Sequence, residues 1–205
     1  MANSLGPLSE SLGSTSSSLL ARVRAQDQDA WTRLVRLYGP LVSFWLRRAR
    51  LQSADARDVF QDVFHSVARG IGQFHKSQPG DTFRGWLRTI TRNKLNDLFR
   101  RQAVEPAGEG GSVALDRLKE IPGQAGRSTD AGEDEALRQL RLRAMELVQG
   151  EFEPKTWEIF WRVTVQGQSA SDVAEDLGTT PSAVRMAKSR VLRRLREELG
   201  DMEQL

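Results

Sequence analysis

The stretch SASDVAEDLGTTPSAVRMAKSRVLRRLR, residues 169–196, decides how the chain is read. Ser169 to Asp176 suits a short helix, Leu177-Gly178-Thr179 supplies a turn, and Thr180 is a candidate N-cap. Pro181 follows at the first helical position, where its missing N–H costs nothing. A long basic helix comes next, with Val184, Ala187, Val191 and Leu195 on one face. This is the helix-turn-helix pattern, in which the second helix enters the major groove and its first turns reach base edges. Ser182, Arg185, Met186, Ser189 and Arg193 are expected on the groove side, with Lys188, Arg190 and Arg194 at the flanks, where phosphates would lie. An ordinary basic amphipathic helix at a domain edge would share the charge. It would not share the coincidence of cap, turn glycine and charge.

Outward from this unit the spacing of apolar residues stays helical. It runs back through Val173, Ala174, Leu177, Trp157, Phe160, Trp161 and then Leu147, Ala144, Leu140 and Leu137. Residues 102–136 hold two prolines and six glycines, are net acidic and show no sustained period, so they read as a linker. Before them, Phe83, Leu87, Ile90, Leu95 and Leu98 mark a helix from about Thr82 to Arg101. Val59, Phe60, Val63, Phe64, Val67 and Ile71 mark another, with Ser53 as its expected N-cap. A first helical stretch from Leu19 is expected to break and restart at Gly39-Pro40. No strand-like alternation is present. The expectation is an all-α chain of two small helical domains joined by a flexible linker. Its segments are a leader (1–18), a first domain (19–101), a linker (102–132), a second domain (133–199) and an acidic tail (200–205).

Composition narrows the function. The 205 residues contain no cysteine, which excludes disulfides, thiolate metal sites and cysteine nucleophiles. No apolar run approaches a membrane span, and the first 18 residues lack the pattern of an export signal, so no membrane insertion and a cytoplasmic address are expected. His65 and His75 have no metal-ligand spacing, and the glycines near residue 110 have neither strand nor Lys-Ser/Thr around them. No catalytic residue, metal or cofactor is expected; the chain does not read as an enzyme. The net charge of +3 hides two concentrations: residues 84–101 carry six cations against one carboxylate, and residues 181–196 carry six cations and none. Separated basic helices are the footprint of a protein that meets nucleic acid at two places.

The first basic stretch mixes Arg84, Arg88, Arg92, Lys94, Arg100 and Arg101 with Trp86, Asn93, Asn96 and Phe99. Cations interleaved with flat side chains and amides suit unpaired strands rather than duplex. Trp86 could equally be a core residue. On the preceding helix Asp55, Asp58, Asp62 and His65 form a polar stripe flanked by Gln61, which in isolation would be a solubilising face. Glu197, Glu198, Asp201 and Glu203 read as a solvated acidic end.

Together these segments resemble the sigma factors of the bacterial sigma-70 family, in particular the extracytoplasmic-function (ECF) group. DARDVFQDVF at residues 55–64 resembles the region 2.2 signature, FRGWLRTITRNKLNDLFRR at 83–101 resembles regions 2.3 and 2.4, and residues 169–196 resemble region 4.2. The resemblance implies that Asp55, Asp58, Val59, Gln61, Asp62 and Phe64 bind core RNA polymerase at the β′ clamp, with the β flap as a second contact. It implies that Lys76, Arg84, Trp86, Arg88, Arg92, Asn93, Asn96, Arg100 and Arg101 serve the minus ten element of promoter DNA. It implies that Thr180, Ser182, Arg185, Met186, Lys188, Ser189, Arg190 and Arg193 serve the minus thirty-five element. An anti-sigma factor is a further partner that the resemblance allows. A self-sufficient helix-turn-helix regulator of duplex DNA is the alternative that the residues alone leave open.

Overall fold

The computed structural model describes residues 18–75, 81–104 and 131–199, and the described part is helical throughout, as the periodicity requires. Helix α1 (Leu19–Arg24) is capped by Ser18, whose hydroxyl accepts from the Ala21 N–H. The chain then turns through Gln26, at φ 62°, and Asp27 caps α2 (Gln28–Arg48) by accepting from the N–H groups of Asp29 and Ala30. The break therefore lies at residues 25–27. It does not lie at Gly39-Pro40, through which α2 runs uninterrupted.

Two features let the helix tolerate this pair. Arg36, whose carbonyl loses its usual donor to Pro40, is exposed and open to water. Gly39 is buried, and a Cβ there would stand 3.3 Å from the Phe60 ring, so the glycine serves close packing of the next helix.

That helix, α3 (Ser53–Gly70), is capped from Gln52 without a side-chain bond; Ser53 is already its first residue and not its cap. Its apolar face, Val59, Val63, Phe64 and Val67, is buried against α2 and α4 (Phe83–Val104). Arg24 reaches across to the carbonyls of Ile71 and Phe74 at 3.1 and 2.7 Å, closing the end of α3. Phe74, Phe83 and Trp86 pack as a ring cluster onto Tyr38, with centroids 4.9 to 5.8 Å apart.

In the second half, α5 (Ala131–Gln149), α6 (Pro154–Thr164), α7 (Ala170–Asp176) and α8 (Pro181–Leu199) follow. Ile159, Val173, Ala174, Val184 and Ala187 form a small core of their own, which holds the helix-turn-helix together. The rest of the second half is not a separate body. Leu140, Ala144, Val148, Phe160, Val191, Leu195 and Leu199 enter the same buried cluster as Leu19, Leu34, Val42 and Val63 of the first half. Across the boundary of the two expected helical domains runs one shared buried cluster, with the helix-turn-helix core as its satellite. Periodicity reveals which face of a helix is apolar, and not which neighbour covers it.

Candidate functional site

The helix-turn-helix is built as its sequence demands. Ser169 caps α7 by accepting from the Asp172 N–H at 3.1 Å, and Thr180 caps α8 by accepting from the Ala183 N–H at 3.2 Å. Gly178 takes φ 58° in the turn, a conformation that other residues resist. Lys155 donates to the Leu177 carbonyl at 3.0 Å, and Arg162 bonds Gln168 and Asp176, so α6 fixes the turn from behind. With Val184, Ala187 and Val191 buried, Ser182, Arg185, Met186, Ser189, Arg190 and Arg193 are exposed, while Thr180 is exposed at the cap and Lys188 half-buried. Among the described residues Arg185, Lys188, Arg190 and Arg193 enter no ion pair, so their charge is available to a polyanion.

Arg194 is different. Only 12% of its side chain is exposed, and it bonds Glu151 at 2.6 and 2.9 Å and Glu198 at 3.0 Å. It is a scaffold residue and not the phosphate contact expected at the flank. Glu198 is likewise no solvated end: it is 1% exposed and paired with both Arg194 and Arg33 of α2. Arg33 also bonds Glu151 and the Leu147 carbonyl, and Tyr38 donates to the Leu199 carbonyl at 2.6 Å. Burial pushes the Tyr38 phenol well above its ordinary range. Burial also works against the Glu151 carboxylate and the Arg194 cation, but their mutual bonds outweigh it, so Glu151 is lowered and Arg194 raised.

On α4, Arg84, Arg88, Arg92, Asn96 and Arg100 recur every four residues, each near the next on a row that winds slowly around the helix. Asn93, Arg100 and Arg101 are exposed, and Arg84, Trp86, Arg92 and Asn96 are half-buried. Trp86 lies over Gly70 and against Phe74 and Phe83, so most of its ring belongs to the core. Arg100 pairs with Asp97 in its own helix. Arg88 is held bidentately by Glu133 of α5 at 2.9 and 3.2 Å, 18% exposed, with its guanidinium 5.9 Å from the Trp45 ring. Lys76 lies outside the described residues.

The stripe on α3 is divided. Asp58 and Gln61 are exposed, Asp55 and Asp62 half-buried, and Asp55 accepts from Gln102 of α4 at 3.1 Å. Val59 and Phe64, expected on the same surface, are core residues at 3% and 6% exposure, with Phe64 edge-on to Trp31. They position the stripe and do not present themselves to a partner.

The residues that sequence reasoning missed are Arg33, Tyr38, Glu133, Glu151 and Glu198, which join the two halves. Their partners in the other half lie 45 to 165 positions away, and no local pattern carries that information. Among the described residues no group of three or more His, Asp or Glu is placed to hold a metal, and no helix is long and apolar enough to cross a membrane.

Comparison with known proteins agrees with the motifs. The sigma-70 region 2 model matches residues 34–104, which span most of α2 and all of α3 and α4. The RNA polymerase sigma factor CarQ of Myxococcus xanthus is 29% identical over 90% of this chain and 97% of its own length. The ferric citrate uptake sigma factor FecI of Escherichia coli K12 is 32% identical over 69% of this chain and 74% of its own length. The solved structure of CnrH in complex with the cytosolic domain of CnrY matches 86% of this chain and 92% of that chain at 21% identity, with a TM-score of 0.32. With FecI more than 30% identical over about three quarters of its own length, and with the region 2 match falling on the helices that carry the acidic stripe and the first basic face, the chain belongs to the sigma-70 family of RNA polymerase sigma factors, in its ECF group.

Proposed function

We propose that this sigma factor divides promoter recognition between two helices, α4 for the opened minus ten element and α8 for the duplex minus thirty-five element, while α3 holds the polymerase. Sigma factors bind core RNA polymerase and promoter DNA and act as regulators by recognition. The division of labour within this chain is the finer reading. The observation that carries it is the exposed row Ser182, Arg185, Met186, Ser189 and Arg193 on a capped helix whose opposite face is buried, flanked by cations without ion pairs among the described residues.

On α4 the exposed Asn93 and the half-buried Asn96 offer amide groups to extruded bases, with Arg84, Arg92 and Arg101 beside them for the strand. Extrusion costs a few kcal/mol, and a surface that binds only the unpaired form shifts the equilibrium by its differential affinity, with no hydrolysis by sigma. Arg88 joins this surface only after Glu133 lets go, so promoter opening on α4 is coupled to movement of α5 away from it. Asp58, Gln61 and Asp62 are the groups of α3 offered to the β′ clamp, with region 4 assigned to the β flap. An anti-sigma protein that covered the α3 stripe would compete for the same groups. Residues 19–101 and 133–199 serve as the two recognition regions.

Transcription by purified core enzyme and this chain from a randomised promoter library tests the reading. Enrichment of two elements at a fixed spacing is expected. A chain that selects palindromic duplex as a dimer without polymerase is a self-sufficient regulator instead. The reversed-charge variant D58K/D62K is expected to keep its helical content and lose core polymerase; retention at the unmodified level removes α3 from the docking surface.

A further inference from the structure

The apex of α8 carries an apolar side chain where a groove helix otherwise shows polar ones. Met186 is 64% exposed, with Val165 the only other large hydrophobic so exposed among the described residues. At about 100° per residue, Ser182, Met186, Ser189 and Arg193 fall on one line, opposite the buried Val184, Ala187, Val191 and Leu195. The serines one turn either side are small, so Met186 stands out beyond them. Arg185 and Arg190 stand to its two flanks, both exposed. An exposed methionine between two cations fits a partner with an apolar spot set between negative charges.

Duplex DNA offers such a spot in the major groove. The edges of guanine, cytosine and adenine present there only donors and acceptors, whereas thymine adds a C5-methyl group. Resting on the assignment of α8 to the minus thirty-five element, we infer that Met186 reads the 5-methyl of one thymine in that element, in a contact that buries its thioether. Arg185 and Ser189 serve the hydrogen-bonding edges of the neighbouring pairs. Methionine suits this work because its unbranched, polarisable chain settles on a methyl without demanding one geometry.

The test uses holoenzyme reconstituted from core polymerase and the full chain, with a duplex that it selects from a library randomised in the minus thirty-five element. Each thymine of that element, on either strand, is replaced singly by deoxyuridine, which removes the methyl and leaves pairing and O4 unchanged. One replacement is expected to weaken binding about fourfold, the worth of one buried methyl-sized group. M186A should bind the thymine and deoxyuridine duplexes alike, and M186L should regain part of the difference. The inference is overturned if no deoxyuridine affects the unmodified protein, or if M186A keeps the full methyl sensitivity. It is also overturned if M186A loses core polymerase while base preference stands, which makes Met186 a protein contact. If scrambling the whole element leaves binding unchanged, the assignment of α8 itself has failed, and that outcome is distinct from the loss of the methyl contact alone.

Discussion

Arg193 and Arg194 are neighbours on one helix and have opposite surroundings. The N-terminal part of α8 packs through Val184 and Ala187 onto the small core of the helix-turn-helix, and its cations face solvent. The C-terminal part packs through Val191, Leu195 and Leu199 into the core shared with α1 and α2, and there Arg194 meets Glu151 and Glu198. A step of about 100° around the helix separates the two side chains. The composition of a basic helix therefore does not say which cations serve a polyanion. The carboxylates that each face meets decide it, and α4 repeats the lesson with Arg88 under Glu133 and Arg92 outside it.

The strongest way to break this contrast is to unpair the buried end. In Arg33→Met, Glu198 keeps Arg194 but loses its second cation in a site that is 1% exposed. Removing a partner from a buried ionic cluster costs roughly 3 kcal/mol, and urea unfolding followed by far-ultraviolet circular dichroism should show it. Arg33→Met combined with Glu198→Leu should recover much of the loss, because an apolar pair leaves no stranded charge. Equal midpoints for Arg33→Met and the unmodified chain would mean that the cluster does not join the halves.

Tyr38→Phe asks the same question with less force. It deletes the bond to the Leu199 carbonyl and leaves that buried acceptor unpaired, a loss of about 1 to 2 kcal/mol. Small-angle scattering is the discriminating measurement. If the seam is what holds the halves, the variant expands at lower urea than the unmodified chain while its helical content is still intact.

Such seams explain what could be read in advance. The caps at Thr180 and Ser169, the turn glycine Gly178 and the buried stripe of α8 are local, and local chemistry specifies them. The concentration of cations around Arg84, Arg88 and Arg92 is equally visible. Missing from the sequence was the carboxylate on Arg88, because Glu133 sits 45 positions away in a stretch whose acidity suggests solvent. Glu198 misled for the same reason: an acidic helix end looks solvated until the helix is known to dock by that end. Pro40 misled in the other direction. Its helix-breaking tendency is real, but the helix around it is held by buried Leu34, Leu37, Tyr38, Leu41 and Val42 on one face, and packing outweighs the lost bond.

A finer test compares the two neighbouring arginines directly. Arg193→Ala should leave stability within about 0.5 kcal/mol of the unmodified chain and weaken promoter binding with a shallower slope of log binding against log salt, because a cation facing the polyanion is lost. Arg194→Ala should do the reverse, lowering stability while holoenzyme binding keeps its salt slope. Titrations of promoter duplex at several potassium chloride concentrations measure the slope. Equal slopes for the two variants would erase the distinction drawn from burial.

The smallest effect expected is the dependence of the seam on pH. Burial raises the Glu151 carboxyl, but the bonds from Arg194 and Arg33 outweigh it and set the group below its ordinary value of 4.5. A depressed carboxylate contributes stability above its unfolded value and loses that contribution as pH falls through the folded one. The seam should therefore hold from neutrality down to about pH 4.5 and weaken below it. The effect is modest because the Glu151 side chain is 36% exposed and solvent screens the pair. Other acids titrate in the same window, so a melting curve alone does not isolate it. Glu135, drawn down to about 2 by bonds from Arg138 and Gln139, lies on the exposed face of α5 and joins nothing to α8. Glu151→Gln should flatten the acid expansion seen by scattering and lower stability slightly at pH 7, whereas Glu135→Gln should leave the expansion where it was. If the two glutamine variants expand at the same pH as the unmodified chain, acid opens the molecule elsewhere, and Glu151 only decorates a seam held by Glu198 and the apolar contacts beneath it.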